Sequence, residues 1–176
     1  MGSSASAGFR AQLPPPNVMA HVDLSRYSKV VWHEIARLPN WFQQRNTFGR
    51  ATYSLDKFTN RLSVLNETMS VLTRSVTGDS ISGYAELVVP AHTSKLRVCF
   101  RFLGSFYGPW ADYWILFVNN SYTLAVVGTP DRKTLWIMAA DRSDVDYSQF
   151  ISAIERCKND GFKTDALLYS IHTPFY

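Results

Sequence analysis

Apolar and polar residues alternate along much of the chain between residues 30 and 140. In residues 95–102 every second position is apolar, at Leu96, Val98, Phe100 and Phe102. The positions between them are mostly charged, at Lys95, Arg97, Cys99 and Arg101. Because successive side chains of a β-strand point to opposite faces, this segment predicts a strand with one apolar and one largely charged face.

Eight segments have this pattern or are rich in the β-branched and aromatic residues typical of strands. They are residues 30–37, 50–56, 61–68, 80–88, 95–102, 112–118, 122–128 and 134–140. The links carry turn residues and are too short for the crossover helices of a parallel sheet. Eight consecutive antiparallel strands either stack as two sheets or close into one barrel.

One helix is predicted after the strands, over residues 144–160. Ser143 and Asp146 resemble a capping box, apolar residues then recur at helical spacing from Phe150 to Cys157, and Gly161 provides a stop. A short strand over residues 166–171 follows. Residues 1–20 contain three consecutive prolines and are expected to form a disordered tail, so the folded domain is predicted to span residues 21–176.

The composition is that of a globular protein, with 46% hydrophobic and 18% charged residues in a chain of 176. Two cysteines exclude a scaffold built on disulfides, and no apolar run approaches the roughly 20 residues of a membrane-spanning helix. Cys99 is expected on an outer face and Cys157 on the packed face of the helix. Reduced thiols fit the expected location, and a disulfide between the two is the alternative. The formal net charge of +4 mildly favours anionic surfaces.

The first residues fit the pattern for N-myristoylation, with Gly2 after Met1 and a serine at position 6. They lack the apolar core of a secretory signal, so we expect the protein in the cytoplasm or on the cytoplasmic face of a membrane. One acyl chain anchors weakly and needs a second membrane contact. The alternative is an unmodified polar tail.

Several segments together resemble the lipocalin family, in its bacterial and plant type and its apolipoprotein D-like members. Residues 23–37 resemble the family's opening segment, residues 50–55 and 64–68 its second and third strands, and residues 112–117, 125–128 and 134–138 its later strands. The resemblance covers residues 21–172. Val30 stands where the family has a glycine, and Ala140 where it has an arginine that stacks on the first tryptophan. By this resemblance Trp32 forms the barrel floor, with Arg142 as the stacking candidate.

The resemblance implies an all-β fold, an eight-stranded antiparallel up-and-down barrel with the C-terminal helix packed outside. Such a barrel has room for one small ligand. Alternation and resemblance together predict the residues around this ligand: Glu34, Ala51, Tyr53, Leu55, Val64, Asn66, Leu96, Val98, Phe100, Phe102, Trp114, Trp136 and Met138. Tyr113 replaces Trp114 if that strand shifts by one residue. The alternative is that these side chains fill a solid core.

Apolar residues also occur in the links expected at the open end of the barrel. They are Trp41, Phe42, Phe106, Tyr107 and Trp110. Aromatic rings beside basic groups suit the interface of an anionic membrane, so docking of this rim on a membrane is one hypothesis. A lid over the pocket and a dimer contact are the alternatives.

The predicted function is binding and transport of a hydrophobic small molecule such as a fatty acid, a lysolipid or another lipid, in membrane maintenance or stress protection. No catalytic residue and no cofactor are predicted. No metal site is predicted either, because the four histidines are isolated in the sequence. A lipid-modifying isomerase or hydrolase in the same barrel, using Glu34 or Tyr53, is the alternative. Nucleic acid is not an expected partner, because alternation places aromatic and basic residues on opposite faces. The protein is expected to be a monomer or a weak dimer.

Overall fold

The computed structural model describes residues 13–102 and 106–170, without the side chains of Asp79, Phe102 and Phe106. Gly2 and the other residues of the predicted tail up to residue 12 lie outside this part of the chain, as does Ile171 at the end of the last predicted strand. No helix in the described ranges is long and apolar enough to cross a membrane.

Eight antiparallel strands pair in chain order, and the first strand also pairs with the last, which closes the sheet into a barrel. The strands are β1 (Trp32–Arg37), β2 (Thr47–Asp56), β3 (Arg61–Ser70), β4 (Val76–Leu87), β5 (Lys95–Phe102), β7 (Ala111–Val118), β8 (Leu124–Gly128) and β9 (Leu135–Ala139). Two short strands lie beside this ring. β6 (Phe106–Tyr107) pairs with β5, and β10 (Leu168–Tyr169) pairs with β1. The predicted up-and-down barrel is confirmed, and the arrangement as two stacked sheets is wrong.

The two helices occupy different places on the barrel. Helix α1 (Leu24–Tyr27) begins after Asp23, whose carboxylate accepts a hydrogen bond from the Arg26 amide. Arg26 also reaches the carbonyl of Asn120 in the β7–β8 link, so α1 covers the end of the barrel at which that link lies. We call this the closed end. The opposite end, with the β1–β2, β3–β4 and β8–β9 links, is the mouth.

Helix α2 (Tyr147–Asn159) lies outside the barrel, as predicted. Asp146 caps its first turn by accepting a hydrogen bond from the Gln149 amide. Its buried residues Phe150, Ala153 and Cys157 pack in one cluster with outward-facing residues of the strands. A separate cluster lines the inside of the barrel, so the wall beneath α2 lies between two apolar layers.

Residues 13–22 form a strap that runs along the barrel before α1. Arg132 donates to the carbonyl of Pro14, and Asn17 bonds the carboxylate of Asp160 at the end of α2. Farther along, the Ser94 hydroxyl donates to the carbonyl of Met19 at 2.6 Å. The packed part of the chain therefore begins before the predicted boundary at residue 21, and residues 13–20 are not a free tail.

Candidate ligand-binding site in the barrel

The inner face of the barrel carries most of the predicted ligand-binding residues. The interior cluster includes Ala51, Tyr53, Leu55, Val64, Leu96, Val98, Phe100, Trp136 and Met138. Asn66 pairs in register with Ala51 on one side and Ile81 on the other, so it belongs to the same inner row. Phe102 belongs to β5, but its side chain lies outside the described part. The structure brings these residues together around one lumen; their contact with a ligand remains a prediction.

Trp114 is the exception, because it faces outward. Its ring lies under the ammonium of Lys95, 4.6 Å from the ring centroid, and packs on the cluster beneath α2. Tyr113 faces the lumen instead. The choice of Trp114 over Tyr113 is wrong because the register of β7 is one residue away from the one chosen, and such a shift exchanges the two faces of a strand.

Half-buried inner residues occur at both ends of the barrel, with Leu55 and Leu87 at the closed end, but α1 covers the centre of the closed end. Ala51, Phe100 and Trp136, on the mouth side, are only half-buried. Trp32 and Leu96, toward the closed end, are inaccessible to solvent. Access to the lumen is therefore from the mouth, and the closed end is filled by the protein's own side chains.

Three tyrosines meet within the lumen, and we call them the tyrosine triad. The hydroxyl of Tyr113 lies 2.6 Å from that of Tyr53 and 2.8 Å from that of Tyr27. Burial is the main reason that the pKa of each of the three phenols is raised well above its usual value. The triad is therefore a set of neutral, mutually hydrogen-bonded hydroxyls in the barrel centre.

Asn66 supplies an unpaired polar atom on the mouth side of the triad. Its Oδ1 is buried and has no hydrogen-bond partner among residues 13–102 and 106–170. A buried carbonyl oxygen without a partner costs free energy of roughly 1–3 kcal/mol. A ligand with a hydroxyl or amine donor would satisfy this atom.

Glu34 is held at the mouth by a buried polar network that the sequence did not predict. One carboxylate oxygen lies 2.7 Å from Nη1 of Arg37, and the other accepts hydrogen bonds from Gln43 Nε2 and the Gly49 amide. Arg37 also donates to the carbonyl of Gln44 in the β1–β2 link and to that of Thr47 at the start of β2. Both carboxylate oxygens of Glu34 are thus hydrogen-bonded to protein groups, and they hold the β1–β2 link in place.

The floor of the barrel is built differently from the prediction. Trp32 is buried, its Nε1 donates to the carbonyl of Tyr27 at 3.1 Å, and the two rings lie 5.1 Å apart. Arg142 does not stack on Trp32. Its guanidinium lies 3.4 Å from the centroid of Phe48 and it donates to the carbonyl of Ser170. Phe48 alternates with the inward-facing residues of β2 and therefore faces outward, and Arg142 beside it lies on the outer surface. The physical reason is that the chain runs along the outside of the barrel after β9.

The surroundings of Arg142 confirm its outer position. His33, which alternates with the inward Trp32, has a lowered pKa because of burial and of the neighbouring Arg142 and Arg50. Arg50 forms a two-pronged ion pair with Glu67 on the outer face of β2 and β3. Trp32, which forms the floor, and Arg142 therefore lie on opposite sides of the barrel wall.

Two of the predicted rim residues do stand at the mouth. Trp41 is 94% exposed and Phe42 is 54% exposed, and their rings meet edge to face at 5.5 Å. Phe42 lies 6.3 Å from Trp136, whose Nε1 donates to Gln43, so this link continues into the lumen. Leu72 in the β3–β4 link is 89% exposed. The side chain of Phe106 is outside the described part.

Tyr107 and Trp110 lie on the outer wall instead of the rim. The ring of Trp110 lies under the guanidinium of Arg97, and that of Tyr107 lies 5.6 Å from the ring of Tyr84. Arg101 donates to the Tyr107 hydroxyl. Aromatic and basic side chains therefore share this face, and the expectation that they separate onto opposite faces is wrong here. The reason is that the rings of Tyr107 and Trp110 come from β6 and from the segment just before β7, and they fold back over β5.

Comparison with known proteins agrees with this architecture. The profile of the family described as the lipocalin-like domain matches residues 22–172. Temperature-induced lipocalin-1 of Arabidopsis thaliana is 32% identical over 148 residues, which are 77% of this chain and 72% of the relative. The chain belongs to the lipocalin family.

Solved structures share the fold of this lipocalin at low sequence identity. Insecticyanin from the tobacco hornworm Manduca sexta superposes with a TM-score of 0.65 at 20% identity, covering 95% of this chain and 88% of that one. The amine-binding protein of Rhodnius prolixus, solved as its tryptamine complex, has a TM-score of 0.61 at 7% identity, covering 90% and 85%. Lipocalins typically bind small hydrophobic ligands, and the barrel of this member has the matching inner face.

The thiols of this lipocalin are buried and unpaired. Cys157 packs beneath α2, and Cys99 lies on the outer face of β5 opposite Tyr84. Among the described residues, no group of three or more histidine, cysteine or carboxylate side chains could hold a metal ion. The two residues considered for catalysis, Glu34 and Tyr53, are both bonded to other protein side chains.

Proposed function

We propose that this lipocalin binds one small lipid, such as a fatty acid or a lysolipid, in the mouth half of its barrel and carries it. The observation that carries the proposal is a continuous apolar inner face that helix α1 covers at the closed end, with Tyr27 and Trp32 inaccessible to solvent. Half-buried apolar residues on the mouth side, among them Ala51, Phe100 and Trp136, leave contacts for a ligand. Binding would bury these residues, and each methylene transferred from water contributes about 0.8 kcal/mol.

Two tryptophans on opposite faces of the wall, Trp136 on β9 and Trp114 on β7, test this proposal. Trp136 faces the lumen and Trp114 faces outward, so Trp136→Ala removes a ligand contact and Trp114→Ala is the matched control. Titration with the fluorescent apolar probe N-phenyl-1-naphthylamine should give saturable binding to the wild type. We expect Trp136→Ala to weaken it about tenfold, the loss of roughly 1.4 kcal/mol of apolar contact, and Trp114→Ala to leave it unchanged. Absence of binding to the wild type, or equal loss in both variants, would contradict the proposal.

We further propose that the mouth docks on anionic membrane and exchanges lipid there. Trp41, Phe42 and Leu72 form an exposed apolar rim, and Arg45 and Arg74 lie in the same two links. Isolated apolar residues are common on surfaces, but a cluster at a ligand entrance beside basic residues suits the headgroup region of a bilayer. The name of the temperature-induced relative supports a role for this exchange in the response to temperature stress.

Phe58 provides a control for the membrane proposal, because it is 100% exposed in the β2–β3 link at the closed end. In flotation with vesicles of phosphatidylcholine and phosphatidylserine, Trp41→Ala/Phe42→Ala should reduce binding severalfold and Phe58→Ala should not. The residual binding should fall with added salt, since the basic contribution is screened. Equal flotation of all three proteins would count against docking by the mouth.

A further inference from the structure

The tyrosine triad crosses the lumen from one wall to the other. In the closed ring, β2 and β7 are separated by β3, β4 and β5 on one side and by β8, β9 and β1 on the other. Tyr53 on β2 and Tyr113 on β7 therefore start from opposite walls, and their hydroxyls meet at 2.6 Å. A bond between opposite walls blocks the passage from the mouth to the closed end.

The third ring supports this barrier from below. Tyr27 belongs to α1 at the closed end, and its hydroxyl bonds that of Tyr113 at 2.8 Å. Its ring lies 5.3 Å from the ring of Tyr53 and 5.1 Å from that of Trp32. The space beneath the barrier is thus occupied by aromatic side chains.

The depth left above the barrier is limited. On β2, the inner row toward the mouth holds Ala51 and Gly49, so Tyr53 lies four residues from Gly49. Four residues of a strand extend about 13 Å, and the tilt of barrel strands shortens this to about 10 Å along the axis. The space above the triad therefore spans four residues of β2, which is ten residues long.

The triad also has a hydrogen-bond donor to spare. Three phenol hydroxyls carry three hydrogens, and the two contacts within the triad use two of them. In the described part of the chain, these hydroxyls have no hydrogen-bond partner outside the triad. The hydroxyls of Tyr27 and Tyr53 also interact with each other, but without the close geometry that each has with Tyr113. The third O–H can therefore turn from this weaker contact to an acceptor on a ligand that reaches the barrier from the mouth.

We propose that the tyrosine triad is the inner end of the ligand site, where it limits ligand length and donates a hydrogen bond to a neutral oxygen at the ligand's inner end. The favoured ligands are compact alcohols, ketones or esters. A carboxylate placed at this depth would be a buried charge without a cation, because Arg37 lies at the mouth and is already paired with Glu34. This inference rests on the proposed function, since it names the ligand class of the same lumen.

Ligand length gives the first test. Octanol through octadecanol would displace N-phenyl-1-naphthylamine from the wild type, from Tyr53→Ala and from Tyr84→Ala, whose ring lies on the outer wall. The wild type should gain about fourfold in affinity per methylene until the chain reaches the triad, and no more beyond it. Tyr53→Ala should move this limit to longer alcohols, and Tyr84→Ala should not. Near-ultraviolet circular dichroism checks folding, and Tyr53→Leu opens the same space should the alanine variant not fold.

Ligand chemistry gives the second test, in the variant Tyr53→Phe/Tyr113→Phe, which keeps both rings and removes the hydroxyl pair. Wild type should bind a methyl ketone about tenfold more tightly than the alkane of equal length, and the variant should lose this preference while keeping the length limit. An unchanged length limit in Tyr53→Ala, or an unchanged ketone preference in the double variant, overturns the inference alone. Failure of the wild type to bind the probe or any of these molecules overturns the proposed function together with it.

Discussion

The carboxylate of Glu34 lies 2.7 Å from the guanidinium of Arg37, and both side chains are buried at the mouth of the barrel. The pair joins β1 to the link that carries Trp41 and Phe42, because Arg37 also donates to the carbonyl of Gln44 in that link and to that of Thr47, where the link meets β2. The ligand entrance is therefore positioned by a buried ion pair and not by loop residues alone.

Breaking this pair should destabilise the protein strongly. In Arg37→Met the Glu34 carboxylate remains buried without its cation, and we expect a loss of about 3–5 kcal/mol in the free energy of unfolding. Glu34→Gln/Arg37→Met removes both charges and keeps an oxygen for Gln43 and the Gly49 amide. The double variant should therefore be more stable than Arg37→Met in urea denaturation. A double variant as unstable as the single one would show that the charge pairing is not what matters.

The tyrosine triad should make the barrel sensitive to alkali. Burial raises the pKa of Tyr27, Tyr53 and Tyr113 in the folded state, whereas tyrosines of the unfolded chain have a pKa of about 10. Their contribution to stability is thus complete below about pH 10 and is lost as the pH rises further. Tyrosinate absorbance should show three of the nine tyrosines ionising only together with loss of the near-ultraviolet dichroism. Ionisation of all nine near pH 10 with the fold intact would contradict this.

Cys157 should be inert in the folded protein. Burial beneath α2 raises the pKa of its thiol to about 12, so almost no thiolate is present at neutral pH. We expect negligible reaction with Ellman's reagent until urea unfolds the chain. Ser152→Cys, on an exposed position of the same helix, should react at once. Rapid reaction of Cys157 in the native state would place α2 off the barrel.

Gly83 should not tolerate a side chain. A Cβ at this position would come within 2.1 Å of the carbonyl oxygen of Cys99, so β4 and β5 would have to separate. Gly83→Ala should cost about 1–3 kcal/mol in thermal or urea unfolding. Ser82→Ala, on the neighbouring exposed position, should change stability by less than about 0.5 kcal/mol.

The barrel could be predicted from the sequence because one face of most strands is uniformly apolar. On β5, alternation alone places Leu96, Val98 and Phe100 inside. On β7 it fails, because the run from Tyr113 to Val118 is apolar on both faces: one face lines the lumen and the other meets the layer beneath α2. Nothing in such a segment distinguishes Tyr113 from Trp114.

Residues whose position depends on the path of the chain outside the strands could not be predicted. Arg142 follows β9, and only the three-dimensional course after Ala139 brings it to Phe48 on the outer surface. Trp110 and Tyr107 fold back over cations of β5 for the same kind of reason. Arg37 is the last residue of a predicted strand, and the sequence does not show that its guanidinium binds a carboxylate and two carbonyls.

Native mass spectrometry of the protein, purified without detergent, tests the central claim most directly. A lipid held in the mouth half of the barrel should appear as one additional mass on the folded protein, disappear on denaturation, and be identified in the organic extract. Trp136→Ala should retain less of it than Trp114→Ala. A folded protein that carries no such mass, and takes up none when incubated with fatty acids, lysolipids or long-chain alcohols, would show that the lumen is only a core.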